Sequence, residues 1–124
     1  MTLHLILVLS LITVAQAPAP KEKVEIVSVT GCLREQGAGN WMVVAATDPV
    51  ASVANQAQGA DIPQTPPAGK SSFRLIGVGE FSLGTHRDRT VVVRGLLIKA
   101  APVSRINLTS IVEAVASCAP NAPK

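Results

Sequence analysis

The pattern of hydrophobic and polar positions in the second half of the chain predicts two core strands. Residues 71–77 alternate in polarity, with Phe73 on the face opposite to Arg74. About a dozen residues later, residues 90–99 form a second apolar run, which Gly95 interrupts. Such runs are typical of strands, and a glycine inside one indicates a bend or a close approach of another backbone segment. We therefore expect both runs at the centre of a small β-barrel.

Three further strands are expected to complete the sheet. Residues 24–34 alternate in polarity, but the apolar positions change parity after Ile26, which is the pattern of a β-bulge. Turn residues at positions 35–40 predict a hairpin that leads to an antiparallel strand at residues 41–46. The last strand is expected at residues 104–111, after which a period of 3.6 competes with the period of 2.

Two segments interrupt these strands. Residues 47–70 contain four of the nine prolines and lack strand periodicity, so we expect a flexible insertion, with a helical turn at residues 50–56. Residues 78–89 connect the two central strands. In this connection, Phe81 and Leu83 are expected to close one end of the barrel through a short turn of helix.

The N-terminal residues 1–17 have the pattern of a signal peptide. Their apolar run is shorter than the roughly 20 residues that span a membrane, and small residues follow it directly. Cleavage after Ala15 is preferred, because cleavage after Ala17 would leave Pro18 as the first mature residue. An uncleaved anchor is the alternative, since neither lysine nor arginine precedes the apolar run. After cleavage we expect no stable membrane span.

The remaining chain predicts one domain at residues 24–118, preceded by a mobile leader at residues 18–23 and followed by a disordered tail at residues 119–124. A domain of this length buries only about 60 to 65% of the surface of its unfolded chain. Its core is therefore thin, and an additional constraint would contribute strongly to its stability.

The two cysteines, Cys32 and Cys118, supply such a constraint if they form a disulfide. They lie at the ends of two predicted core strands, and exported proteins favour structural disulfides. A closed loop of roughly 86 residues is worth on the order of 4.5 kcal/mol in the chain-entropy model. Free thiols or a redox pair are the alternatives, and no Cys-x-x-Cys spacing supports the latter.

Basic residues cluster in the second half of the chain. The formal net charge of +3 is by itself weak evidence for an anionic partner. Between Arg74 and Arg105, however, Glu80 and Asp88 are the only carboxylates. The candidate anion-binding residues are Arg74, Arg87, Arg89, Arg94 and Arg105. The alternative interpretation is that these side chains are solvated positions on strand faces and loop tips.

The sequence contains no recognisable catalytic or cofactor site. His86 is the one histidine after the signal segment, and no motif marks a serine or cysteine nucleophile near it. His86 and Asp88 fall short of the three or four ligands that a metal requires. No glycine-rich phosphate loop follows a strand in the required context. We therefore expect no catalytic residues, no metal and no cofactor.

Several short motifs resemble a family of small exported bacterial proteins with an OB-fold-like domain, most of them uncharacterised. The matching segments are TGCLR at residues 30–34, FRLIG at 73–77, Leu83 and His86, VVVRGLL at 91–97, and RINLTS at 105–110 with Cys118. The resemblance implies an all-β fold, a small five-stranded Greek-key barrel, here with one disulfide and a long Pro/Ala/Gln-rich loop. This chain departs from the pattern at Asp88, where glycine is favoured, and in the insertion at residues 47–70.

The resemblance also implies a binding face. OB-folds bind oligonucleotides or oligosaccharides on the second and third strands and the adjoining loops. In this chain that surface would comprise Met42, Val44, Arg74, Ile76, residues 36–40 and residues 100–102. Trp41 shares parity with Val43 and is expected to point inward, which leaves the outer face without an aromatic ring.

These observations predict a non-enzymatic exported module with a binding or structural role in the cell envelope or periplasm. Its partner would be a protein or an envelope component. The alternative is a binder of anionic polymers, an oligonucleotide or an acidic polysaccharide, through the basic barrel face. Nucleic acid is the less favoured ligand, because single-strand binding relies on exposed rings and the chain has only one Trp, two Phe and no Tyr.

Overall fold

The computed structural model describes residues 25–52 and 62–124. The predicted signal peptide, the leader and the middle of the insertion lie outside the described residues. Regular structure in the described part consists of strands and one short 3-10 helix at Leu83–His86. The strands are β1 (Ile26–Glu35), β2 (Trp41–Ala46), β3 (Val50–Ala51), β4 (Ser71–Ile76), β5 (Thr90–Ile98) and β6 (Arg105–Val115).

Five of the strands form a closed ring of hydrogen-bonded pairs in the order β1-β2-β4-β6-β5, and β5 pairs again with β1. All pairings in the ring are antiparallel except that of β4 with β6, which is parallel. The short strand β3 is added beside β1 outside this ring. The predicted all-β, barrel-like architecture is confirmed, with β3 as a sixth strand.

The positions at which the strands bend differ in part from the prediction. The expected bulge in β1 is wrong, because its register with β5 runs unbroken from Ile26 to Cys32. Register shifts occur instead between β2 and β4 and between β5 and β6. One of them lies at Gly95, where a Cβ would overlap the Asn107 carbonyl oxygen. The close backbone approach predicted from Gly95 is therefore confirmed.

The interior of the ring is filled mainly by aliphatic side chains. Leu83 on the 3-10 helix packs into this core, and Phe81 packs partly buried against it, as expected for residues that contribute to the core from the connection between the two central strands. Trp41 is 8% exposed and belongs to the same core, as its parity with Val43 predicts. The most deeply buried members are Val29, Leu33, Val43, Val91, Val93 and Ile106.

Two segments contain more strand than the periodicity predicted. The helical turn expected at residues 50–56 is wrong at its start, because Val50 and Ala51 pair antiparallel with β1. Strand β6 continues past residue 111 to Val115, which lies opposite Thr90 of β5. In both places an available edge of a neighbouring strand supplies backbone partners that local sequence does not reveal.

The predicted disulfide between Cys32 and Cys118 is confirmed. Beyond it, the structure differs from the predicted disordered tail at residues 119–124. Ala119 and Ala122 are 9% and 8% exposed and pack with Met42 and Val44 on the outer side of β2. The covalent bond holds the segment next to this apolar surface, where burial stabilises the contact.

Replacing both cysteines (Cys32→Ala with Cys118→Ala) is expected to lower the free energy of unfolding by about 4 kcal/mol, because a long loop is no longer closed in the unfolded chain. Urea denaturation of the oxidised protein and the variant measures this difference. As a control, a thiol reductant should destabilise the wild type and leave the variant unchanged. Equal unfolding free energies for the two proteins would contradict the prediction.

Candidate functional site

Arg74 and Arg105 lie side by side on the surface of the ring. Strands β4 and β6 are parallel neighbours, and these two residues are partners in their register. The backbone N–H of Arg74 also donates a hydrogen bond of 3.1 Å to the Ser104 carbonyl oxygen. Both arginines are exposed. Because neighbouring strands are only about 4.8 Å apart and paired residues share a face, the two positive side chains occupy one small area.

This arginine pair borders a surface groove with a volume of about 460 Å³. Strand β2 contributes Met42, which is the register partner of Arg74. The connection between β5 and β6 contributes small and apolar side chains, and the β1–β2 hairpin contributes one amide. The full lining comprises Gln36, Met42, Arg74, Ala100, Ala101, Pro102, Val103 and Arg105. We call this feature the Arg74–Arg105 groove.

The groove coincides in part with the binding face that the family resemblance implied. Met42, Arg74, Gln36 and residues 100–102 belong to both. Val44, in contrast, is 2% exposed and lies under the C-terminal segment. The implied face is therefore divided into a covered part on β2 and an open part between β2, β4 and the 100–103 connection.

The Arg74–Arg105 groove carries positive charge without a neighbouring carboxylate. Within residues 25–52 and 62–124, no carboxylate oxygen lies within 4.0 Å of either guanidinium group. Three other arginines of this part of the chain do have such partners. The pairs are Arg34–Asp88 at 2.6 Å, Arg87–Glu35 at 3.3 Å and Arg89–Glu113 at 2.6 Å.

The structure does not bring the five candidate arginines together. Arg87 lies 5.4 Å from the centre of the Trp41 ring in addition to its ion pair with Glu35. Arg94 is only 4% exposed, and its Nη1 donates a 2.7 Å hydrogen bond to the Ser52 hydroxyl. The expectation of a solvated position is wrong for Arg94. Sequence reasoning had no local signal to separate these arginines, because their partners are distant along the chain.

A second polar cluster joins the 3-10 helix region to β6. The ring Nδ1 of His86 lies 2.9 Å from Glu113 Oε2, and Arg89 Nη1 donates to Glu113 Oε1 at 2.6 Å. The hydrogen bond with His86 is the larger influence, and that from Arg89 the next, in holding the pKa of the Glu113 carboxyl below its ordinary value. Sequence analysis missed Glu113, because the last strand was expected to end at residue 111.

The turn between His86 and β5 is held by backbone hydrogen bonds to β1. The Asp88 N–H donates to the Leu33 carbonyl oxygen at 2.8 Å, and the Leu33 N–H donates to the Arg89 carbonyl oxygen at 3.0 Å. Asp88 has a φ of 64°, in the left-handed region. Glycine, which the resemblance implied at this position, adopts that conformation at lower cost than a residue with a Cβ atom.

The fold and the groove define a small disulfide-bonded, all-β protein with a barrel-like ring and a basic surface groove. No family model, curated protein or solved structure matches the chain. Among the described residues, no three His, Cys, Asp or Glu side chains are grouped so that they could hold a metal ion. The same part of the chain contains no helix with the length and apolar character of a transmembrane segment.

The Asp88→Gly variant is expected to be more stable than Asp88→Ala by about 0.5 to 1 kcal/mol. Both substitutions remove the ion pair with Arg34, but only alanine keeps a side chain in the left-handed conformation. Urea denaturation of the two variants under identical conditions provides the comparison. An alanine variant as stable as the glycine variant would show that the backbone conformation of the turn is wrong.

The Glu113→Gln variant is expected to lose the contribution that the ionised Glu113 carboxylate makes to the free energy of unfolding. Because the folded pKa of Glu113 is lowered, its contribution is present above the unfolded pKa and is lost as the pH falls through the folded pKa. The unfolding free energy of the wild type should therefore fall more steeply between about pH 5 and pH 3 than that of the variant. Other carboxylates titrate in both proteins and contribute equally to both pH profiles. Profiles of unfolding free energy that fall in parallel would therefore refute the role of Glu113.

Proposed function

We propose that this protein is an exported, non-enzymatic binding module whose Arg74–Arg105 groove binds an anionic group of a partner in the periplasm or outside the cell. One observation carries the proposal. Arg74 and Arg105 are exposed register partners on adjacent strands with no carboxylate within 4.0 Å of their guanidinium groups in the described residues, whereas Arg34, Arg87 and Arg89 are paired. Like charges on paired positions of adjacent strands repel each other, and a bound anion relieves that repulsion.

Guanidinium groups favour carboxylates and phosphates. Each presents a planar set of donors that matches two oxygen atoms, and such charge-assisted hydrogen bonds are stronger than neutral ones. The volume of the groove, about 460 Å³, is within the range of small-ligand sites. The chemistry of Arg74 and Arg105 therefore supports recognition of an acidic protein segment or an acidic envelope polymer.

The lining of the groove supports binding rather than turnover. Its side chains comprise arginine, an amide, a thioether and aliphatic groups, and among its described residues there is no hydroxyl, thiol, imidazole or carboxylate. His86 lies elsewhere and is hydrogen-bonded to Glu113. We assign it a structural role in fastening the 3-10 helix region to β6.

Two features support export. Residues 1–17 have the hydrophobic pattern of a signal peptide. The Cys32–Cys118 disulfide fits an oxidising compartment, where such bonds form and persist. In that compartment the available partners are proteins and components of the cell envelope.

The proposal includes a relationship between this protein and small exported OB-fold proteins. The ring of five strands with a single parallel pairing, β4 with β6, supports it, since the OB-fold is a five-stranded Greek-key barrel. Among the ligands that this relationship suggests, oligonucleotides are the less favoured. None of the described residues that line the groove is aromatic, and base stacking on such rings supplies much of single-strand affinity.

The double variant Arg74→Gln with Arg105→Gln is expected to bind a labelled acidic polymer, polyglutamate or heparin, about tenfold or more weakly than the wild type. Fluorescence anisotropy at low salt measures the affinity, which should fall as salt is added because the contacts are ionic.

The matched control is Lys70→Gln with Lys124→Gln, which removes the same charge from exposed residues outside the groove. This control should bind nearly as the wild type does. Equal losses in the two double variants would assign the binding to net charge alone. Absence of binding to either polymer at low salt would overturn the proposed function.

A further inference from the structure

We propose that the ligand of the Arg74–Arg105 groove is an acidic peptide segment of a partner protein, in which aliphatic side chains alternate with carboxylates. The inference rests on the proposed function and specifies its ligand. Three properties of the groove lead to it: the placement of the charges, the apolar surface that lines the groove with them, and the way in which the adjacent surface already holds a peptide.

The charges and the apolar surface come from different parts of the fold. Arg74 and Arg105 project from adjacent sheet strands, whereas Pro102 and Val103 belong to the connection between β5 and β6. In an extended peptide, successive side chains point to opposite sides. A sequence that alternates acidic and aliphatic residues would therefore direct its carboxylates to the arginines and its aliphatic groups to the connection.

The apolar surface disfavours a ligand that is only charged. Met42, Pro102 and Val103 lie in the groove together with two alanines. A sulfated polysaccharide or a nucleic acid backbone gains nothing from covering these groups, and the lining contains no ring on which a base could stack. An aliphatic side chain removes apolar surface from water on both molecules and is stabilised accordingly.

The neighbouring surface shows how this face accommodates a peptide. The C-terminal segment lies on the outer side of β2, where Ala119 and Ala122 bury their side chains. Arg34 Nε donates a 3.0 Å hydrogen bond to the Pro123 carbonyl oxygen. Met42 belongs both to this contact and to the lining of the groove, so the covered and open surfaces are continuous. The open part offers the same combination of arginine donors and apolar side chains.

The test uses two blocked hexapeptides of equal length and charge, one alternating glutamate with valine and the other alternating glutamate with serine. Titration calorimetry of the full, oxidised protein with each peptide measures the affinity. The valine peptide is expected to bind about tenfold more tightly, as partial burial of aliphatic groups predicts. The Arg74→Gln, Arg105→Gln variant should weaken the binding of both peptides.

A second variant tests the apolar surface itself. Val103→Thr keeps the shape of the side chain and replaces a methyl group with a hydroxyl. This variant should lose several-fold affinity for the valine peptide and little for the serine peptide, with an unchanged circular dichroism spectrum as evidence of folding. Unchanged preference for the valine peptide in Val103→Thr would overturn the assigned role of this surface.

Three further probes distinguish the proposal from its alternatives: heparin, single-stranded oligothymidine and phosphatidylglycerol vesicles. Tighter binding of any of these than of the valine peptide, or equal binding of the two peptides, would overturn the peptide proposal and leave an anion-binding groove in place. Absence of binding to every anionic probe at low salt would overturn the proposed function as well. A tighter complex with the valine peptide, lost in the arginine variant, supports both.

Discussion

Strand β1 is hydrogen-bonded along both of its edges, and the rest of the structure depends on this double pairing. One edge pairs with β5 over Ile26 to Cys32, while the other pairs first with β3 and then with β2. A small open sheet would leave two rows of unpaired backbone groups, which closure into a ring removes. The closed ring also surrounds one interior, so that valine, isoleucine and leucine side chains from every long strand meet in a single core.

The disulfide extends this arrangement to the outer surface. Cys32 lies on β1, and Cys118 follows β6, so the bond brings the C-terminal segment across the outer side of β2. Apolar side chains on that side, Met42 and Val44, are covered by alanines instead of water. Met42 belongs to this covered surface and also lines the Arg74–Arg105 groove, so the groove adjoins the surface that the C-terminal segment covers. The same constraint that stabilises the domain thus also shapes its candidate binding site.

Arginines of this chain serve different purposes according to their neighbours. Arg34, Arg87 and Arg89 pair with carboxylates and fasten the turn region that follows the 3-10 helix. Exposed pairs of this kind contribute little stability one by one, but they hold a polar loop in a defined place. Arg74 and Arg105 have no such neighbour among the described residues, and their charge faces solvent. The proposed binding surface is therefore separate from the ion pairs that hold this turn region.

Much of the ring was determined by the sequence alone. Alternating polarity located the long strands, turn residues predicted the β1–β2 hairpin, and parity placed Trp41 in the core. Two cysteines in a chain whose first residues have the pattern of a signal peptide predicted the bond that the structure contains. The strands, the hairpin and the position of Trp41 follow from local periodicity. Two cysteines allow only one intrachain disulfide. Both kinds of feature can therefore be inferred without knowing which segments contact each other.

Only the tertiary structure decided the features that depend on distant neighbours. Strand β3 and the end of β6 form because β1 and β5 offer them backbone partners. The C-terminal segment packs because Cys118 is bound to Cys32. Which arginines are paired, buried or exposed likewise follows from residues far away in sequence, as Glu113 does for Arg89. The sequence determines which side chains are charged, but whether a charge is paired depends on where the opposite charge lies in space.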